Sequence, residues 1–178
     1  DNNTENGAEE IDWIVIDKKD GKALVISKYA LDCQPYNERY TDVTWETCTL
    51  RKWLNDEFLN AAFSETEQGD IIMTTVVSDD NDRYGTDGGN NTLNKVFLLS
   101  IGEASRYFAD DAARECEATT YTEEQGAYVN DDNGNCWWWL RSPGIREEDA
   151  ATVGEDGVVS PESELLEGWA AGEELYTN

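Results

Sequence analysis

At 178 residues, with 39 acidic side chains against 13 basic ones and a formal charge of −26, the chain is long enough for one domain with a real core, or for two very small ones, of which one domain is the expectation. It is too acidic to pair with a phosphate backbone, because like charge repels and there are no counterions to release, which argues against nucleic acid as a partner. Histidine is absent, which excludes Ser-His-Asp and Cys-His catalysis and removes the commonest zinc ligand.

Seven Trp, eight Tyr and four Phe supply material for the core. The acidity reads as a solvated, aggregation-resistant surface, or more sharply as adaptation to salt or divalent cations. Four cysteines, Cys33, Cys48, Cys116 and Cys136, show no CxxC spacing, so neither a metal ribbon nor a thioredoxin-like motif is supported. Two disulfides, Cys33 with Cys48 and Cys116 with Cys136, would each close a loop of roughly 15 to 20 residues. The alternative is four reduced, buried thiols. No apolar run approaches the roughly 20 residues that span a bilayer, so no membrane insertion is expected. The opening DNNTENGAEE is a polar, acidic leader over residues 1–10, of the kind a removed secretory signal leaves behind.

IDWIVIDKKDGKALVISKYAL reads as two β-branched strands around a Lys-Asp-Gly turn. CTLRKWLNDEFLNAAFS puts Leu50, Trp53, Leu54, Phe58 and Phe63 near helical spacing, with Thr47 or Thr49 as N-cap and Ser64 starting a new turn. GDIIMTTVVS is a short apolar strand, and DDNDRYGTDGGNNT after it is a long surface loop of Asp, Asn and Gly. A buried strand follows at Val96 to Leu99, then a short helix around Glu103 to Phe108 and a helical turn at DDAAREC. From Ala127 onward the pattern is short strands broken by Gly. Residues 145–178 hold 10 acidic side chains and one basic, Arg146, so this segment is a charged face or a solvated terminus. No repeat of 20 residues or more occurs.

In CWWWLRSPG, strand alternation sends Trp137 and Trp139 to one side and Trp138 to the other. The run is then a doubly buried central strand, or a strand with one face exposed as an aromatic ligand platform. Arg141 is a rim cation or a buried guanidinium satisfying loop carbonyls, and its place beside Pro143 and Gly144 favours the structural role. In the loop, Asp79, Asp80, Asp82 and Asp87 are hard oxygen ligands close in sequence, the residues a calcium ion would use. The EF-hand pattern fails, since Tyr84 and Asn91 stand where ligands belong. GTDGGNNT lacks the lysine of a phosphate loop. Asn2 and Asn90 begin N-x-T sequons. Carboxylates are so abundant that a pair at glycosidase distance would say nothing about catalysis.

WIVIDKKDGKALVISKYALDCQPYN, TDVTWETCTLRKWLNDEFLNAAFS, YGTDGGNNT, KVFLLSI and GNCWWWLRSPG together resemble a bacterial surface-protein domain family of unassigned function with a WWLRSPG signature, over residues 11 to about 159. The resemblance implies a C-type-lectin-like fold, akin to the formylglycine-generating-enzyme superfamily and to variable receptor-binding proteins. Mapped onto it, Trp138, Trp139, Leu140, Arg141, Ser142, Pro143 and Gly144 are the structural motif. Arg146, Glu147, Glu148, Asp149, Thr152, Glu155 and Asp156 are then the ligand surface. Relatives carry mostly Tyr, Asn and Ser in that stretch, where this chain carries Glu and Asp. They also end in a strand reading roughly V-R-P-A-L-W-I, where this chain has GWAAGEELYTN; residues 168–177 either replace that strand or do something else, such as pairing with another subunit.

The resulting expectation is an α+β, C-type-lectin-like single domain over residues 11–178, with short twisted antiparallel strands, two or more helices, long loops and an atypical acidic segment, 145–178. It is expected to be extracellular or on the cell surface and non-enzymatic. It would need no cofactor, with calcium as the one ion its loop invites, and would bind a protein or glycan through the loops after Gly144. The alternative is a structural subunit that binds copies of itself to make surface fibres or arrays.

Overall fold

Asp20 and Gly21 both take positive φ, 52° and 74°, the twist a two-residue turn needs to join right-twisted strands. A Cβ on Gly21 would meet nothing within 4 Å, so glycine serves there through φ alone. The turn joins β1 (Trp13–Lys19) to β2 (Lys22–Ser27), antiparallel from Trp13↔Ser27 to Lys19↔Lys22, with a register shift between Val15 and Asp17. The computed structural model describes residues 10–162. The leader up to residue 9 and the segment 168–177, which either replaces the closing strand or does something else, lie outside the described residues.

The expected first helix forms, but Cys48 is its N-cap, its Sγ accepting the Arg51 N–H at 3.4 Å. The two threonines expected in that role are engaged elsewhere: Thr49 Oγ1 accepts the Glu38 N–H and Thr47 Oγ1 the Thr44 N–H. The helix runs as α1 (Thr49–Trp53), a π-helical turn (Leu54–Phe58) and α2 (Leu59–Ala62). At the π turn, Asn55 Nδ2 donates to the Arg51 carbonyl, which the Asn55 N–H would use in a regular α-helix, and to the Val96 carbonyl. Asn55 Oδ1 accepts the Lys95 and Val96 N–H groups. Ser64 then caps α3 (Glu65–Asp70) in a reciprocal box with Glu67.

β3 (Thr74–Val76) pairs antiparallel with β4 (Thr92–Asn94). The strand expected at Val96 to Leu99 is absent. That stretch is irregular: its Leu99 carbonyl accepts a single backbone bond from the later strand that carries Arg141, the Arg141 N–H, and its Leu98 carbonyl accepts the Arg141 guanidinium, so no ladder forms. Then come α4 (Ile101–Tyr107), a 3-10 turn (Ala112–Arg114), β5 (Cys116–Glu117), α5 (Thr120–Glu124) and β6 (Asn135–Cys136), which is antiparallel to β5. β7 (Trp138–Pro143), β8 (Ala150–Val153) and β9 (Val159–Ser160) form a three-stranded sheet in that order. The protein is thus mixed α+β, with short strand pairs, short helices and no closed barrel among the described residues.

By its packing the described chain divides into two compact units, each assembled from separate stretches: 10–35, 102–138 and 153–159 in the first, and 36–101, 139–152 and 160–162 in the second. The chain passes from one to the other inside the tryptophan run, and all three indoles are half-buried. In the first unit, Trp138 Nε1 donates to the Arg114 carbonyl at 3.1 Å. In the second, the Trp139 ring lies 5.6 Å from Tyr36, which also contacts Trp45 at 6.5 Å. Around that aromatic group the second unit buries Leu50, Leu54, Phe58, Leu59, Val76, Leu99 and Leu140. The first unit is held more by polar bonds. Buried Arg114 donates to the Gly157 and Ala104 carbonyls, and Asn135 Nδ2 to Glu115 and the Glu155 carbonyl.

All four cysteines are free thiols, so neither expected disulfide is formed. Cys33 and Cys48 belong to different units, and the Cys48 sulfur is committed to its helix cap. Cys116 and Cys136 are direct partners across β5 and β6.

Candidate functional site

Arg141, only 4% exposed, organises the end of β7 in the second unit. Its Nε and Nη2 donate to the Val77 carbonyl at 3.1 and 2.9 Å, and Nη1 donates to the Leu98 carbonyl at 2.8 Å. A planar fork of donors in fixed geometry satisfies carbonyls on two segments at once. Ser142 Oγ accepts the Ile101 N–H, and the Arg141 carbonyl accepts the Tyr36 hydroxyl. The strand enters its loop buried and fixed.

The loop closes on itself, the Gly144 N–H donating to the Asp149 carbonyl and the Asp149 N–H to the Arg146 carbonyl. Two side chains from the Asp/Asn/Gly loop grip it from below. Buried Asn81 Nδ2 donates to the Pro143, Gly144 and Pro161 carbonyls, and Thr86 Oγ1 donates to the Gly144 and Ile145 carbonyls. A third loop joins through the Val43 N–H, which donates to the Glu147 carbonyl at 3.0 Å. Gly89, at φ +80°, lies so close to this third loop that a Cβ would stand 2.6 Å from Thr44 Oγ1, so only glycine fits there.

Where the three loops meet lies a shallow depression of about 320 Å³. Asp42, Glu46, Asp87 and Glu147 line it with no cationic side chain among them, and Asn90 on its rim donates to Glu46 at 2.9 Å. Carboxylates in this arrangement accept hydrogen bonds from ammonium, guanidinium or hydroxyl groups and repel anions. A second depression of about 310 Å³ on the same unit is net cationic, lined by Arg51, Lys52 and Lys95 with Asp56, beside exposed Met73 and Leu93.

The residues assigned to the ligand surface separate in the structure. Glu147 is exposed and on the acidic depression. Arg146 is exposed but engaged, bonded to Asp149 at 3.0 Å, to the Tyr40 hydroxyl and, as an ion pair, to Glu148. The Asp149 carboxylate holds the Arg146 guanidinium above its ordinary pKa. Asp149 is 5% and Thr152 2% exposed, so both are withdrawn from any ligand by burial. Glu155 and Asp156 belong to the first unit, where Glu155 accepts from Asn130 and Asp156 accepts the Val158 N–H within its own turn.

Among the calcium candidates, Asp80 accepts the Gly88 N–H and Asp87 the Gly89 N–H, while Asp79 and Asp82 are exposed. Among the described residues no three acidic or cysteine side chains converge as a metal-binding group. Sequence reasoning missed Asn81, Thr86, Asp42 and Glu46. In a loop so rich in Asp and Asn, nothing local separates a buried amide from its solvated neighbours.

Fold and site define a small mixed α+β module whose loops, held by buried polar residues, carry its charged surface. The chain belongs to the family described as Domain of unknown function (DUF6273), which matches residues 20–168. No curated protein matches it, and no solved structure does. Among the described residues, no helix is long and apolar enough to cross a membrane.

Proposed function

We propose that this domain is a non-catalytic ligand-binding module of the cell exterior, taking a cationic or hydroxyl-rich group of a protein or glycan into the acidic depression. One observation carries the reading: the loop after the WWLRSPG motif is fastened to two others so that Asp42, Glu46, Asp87 and Glu147 surround one cavity. The lectin-like resemblance of the sequence adds to it, as do a rigid support and a loop-borne site. The ligand surface is thereby moved from residues 146–156 as a block to Glu147 and the two neighbouring loops. No cofactor is required. The test is binding of a lysine-rich peptide and of an array of neutral and amino-bearing glycans, by the wild-type chain and by the triple variant Asp42→Asn, Asp87→Asn, Glu147→Gln. Salt-sensitive binding that disappears in the variant at unchanged thermal midpoint is expected; equal binding by both proteins would reject the site.

A second reading has its own observation. The second unit carries an acidic depression and a cationic, partly apolar one, a pair through which copies would associate head to tail into open arrays. Sedimentation at micromolar concentration distinguishes the two. Monomers favour ligand display, whereas growing particles that dissolve in salt and in a Lys52→Glu, Lys95→Glu variant favour assembly.

A further inference from the structure

The two cysteines of the β5–β6 ladder have no part in the proposed site, yet their geometry is specific. Cys116 and Cys136 are Cα partners in register, followed by Glu117 and Asn135. Residues directly opposite in an antiparallel pair have Cα atoms about 4.5 to 5.5 Å apart. That lies inside the span of about 4.4 to 6.8 Å that a disulfide bridges without backbone movement. The register does not depend on the sulfurs. It is supported by the Ala118 N–H on the Gly134 carbonyl, which links the two chains just beyond the ladder, while the Ala30 N–H on the Glu117 carbonyl and the Thr119 N–H on the Ala30 carbonyl tie β5 to the Ala30 segment. By residue exposure Cys136 is buried and Cys116 half-buried.

We propose that Cys116 and Cys136 form a reversible dithiol–disulfide site whose substrate is a disulfide oxidant, either a low-molecular-weight disulfide or an exposed protein disulfide. Cys116, the less buried residue of the two, is the entering nucleophile, and the hydrogen bond between the sulfurs acts in the same sense, lowering its pKa and raising that of Cys136. The Cys116 thiolate attacks one sulfur of the oxidant, forming a mixed disulfide and expelling one thiolate. Cys136 then gives its proton to solvent and attacks Cys116 Sγ, expelling the second thiolate. One intramolecular S–S bond forms, the S–S bond of the oxidant breaks, and two electrons pass from protein to oxidant. The bond ties together the ends of the segment 117–135, which contains α5.

The experiment uses the full chain, exposed to oxidised glutathione, then denatured and alkylated together so that every remaining thiol is labelled, and mapped as non-reduced peptides. The expected result is loss of two of the four thiols, one cross-linked peptide joining Cys116 to Cys136, a raised thermal midpoint and full reversal by dithiothreitol. Cys33→Ser should behave as wild type. Four free thiols after oxidation, an adduct that stops at glutathione on Cys116, or a link to Cys33 or Cys48 would each overturn the proposal. Because the wild-type chain carries the decisive measurement, any instability of a Cys116→Ser variant leaves the outcome readable.

Discussion

Arg141 shows how much one side chain can decide. With its guanidinium buried on the Val77 and Leu98 carbonyls, truncation leaves those acceptors unpaired. Arg141→Ala should therefore cost about 3 to 5 kcal/mol in urea unfolding, with Arg141→Lys recovering only part. A loss below about 1 kcal/mol would mean that water replaces the guanidinium without penalty. Cys48 makes a prediction of a different kind. Burial pushes its thiol up to about 11 from an ordinary value of 9.0, and burial likewise raises Tyr36 well above its ordinary value. The unfolded chain then releases these protons at lower pH than the folded one. Their contribution is complete below pH 9 and is lost as pH climbs from 9 toward 11 and beyond. Cys48 alone accounts for about 2 to 3 kcal/mol of that loss. Unfolding midpoints followed across this range should fall for the wild type and fall less for Cys48→Ser; equal slopes would remove Cys48 as the cause.

At the scale of elements, turn and cap chemistry explain where the chain bends. The Asp20-Gly21 turn requires a left-handed residue with empty space around it, so Gly21→Ala should cost only the backbone penalty, about 1 kcal/mol. The π turn depends instead on its surroundings: Asn55 makes four hydrogen bonds, two given and two accepted, of which one stays within the helix at the Arg51 carbonyl and three join the helix to Lys95 and Val96. Asn55→Leu should cost about 2 to 4 kcal/mol while leaving most of the helical circular dichroism. If the loss is no larger than that of Gly21→Ala, the four bonds hold nothing that solvent cannot. Helical spacing of Leu50, Trp53, Leu54 and Phe58 made the helix legible from the sequence. The π turn was not legible, because the carbonyl and N–H groups that Asn55 meets lie some forty residues away.

Across the whole molecule, a charge of −26 sets most carboxylates against one another. Screening should therefore stabilise the fold: as the Debye length shrinks from about 30 Å at 0.01 M salt to about 3 Å at 1 M, the thermal midpoint should rise. Binding of a basic partner at the acidic depression should weaken over the same range. A midpoint that fell with salt would show that ion pairs such as Arg146–Asp149 outweigh the general repulsion. Calcium should act as a stronger screening ion without a sharp stoichiometry, and a single tight site by calorimetry would point back to Asp79–Asp87.

The sequence by itself determined what depends on neighbours along the chain. The β1–β2 hairpin follows from β-branched apolar runs and a Lys-Asp-Gly turn, the α3 start from Ser64, the repulsion of phosphate from composition, and the absence of imidazole chemistry from a missing residue type. Tertiary structure alone decided which polar groups are buried and with whom. It placed Asn81 under the Gly144 loop, took Asp149 and Thr152 out of solvent, assigned Glu147 and Glu155 to different units, and set Cys116 against Cys136 while Cys48 caps a helix. The physical reason is that burying an amide, a carboxylate or a guanidinium is tolerable only when distant backbone supplies its hydrogen bonds, and no residue announces its distant partner in its own neighbourhood.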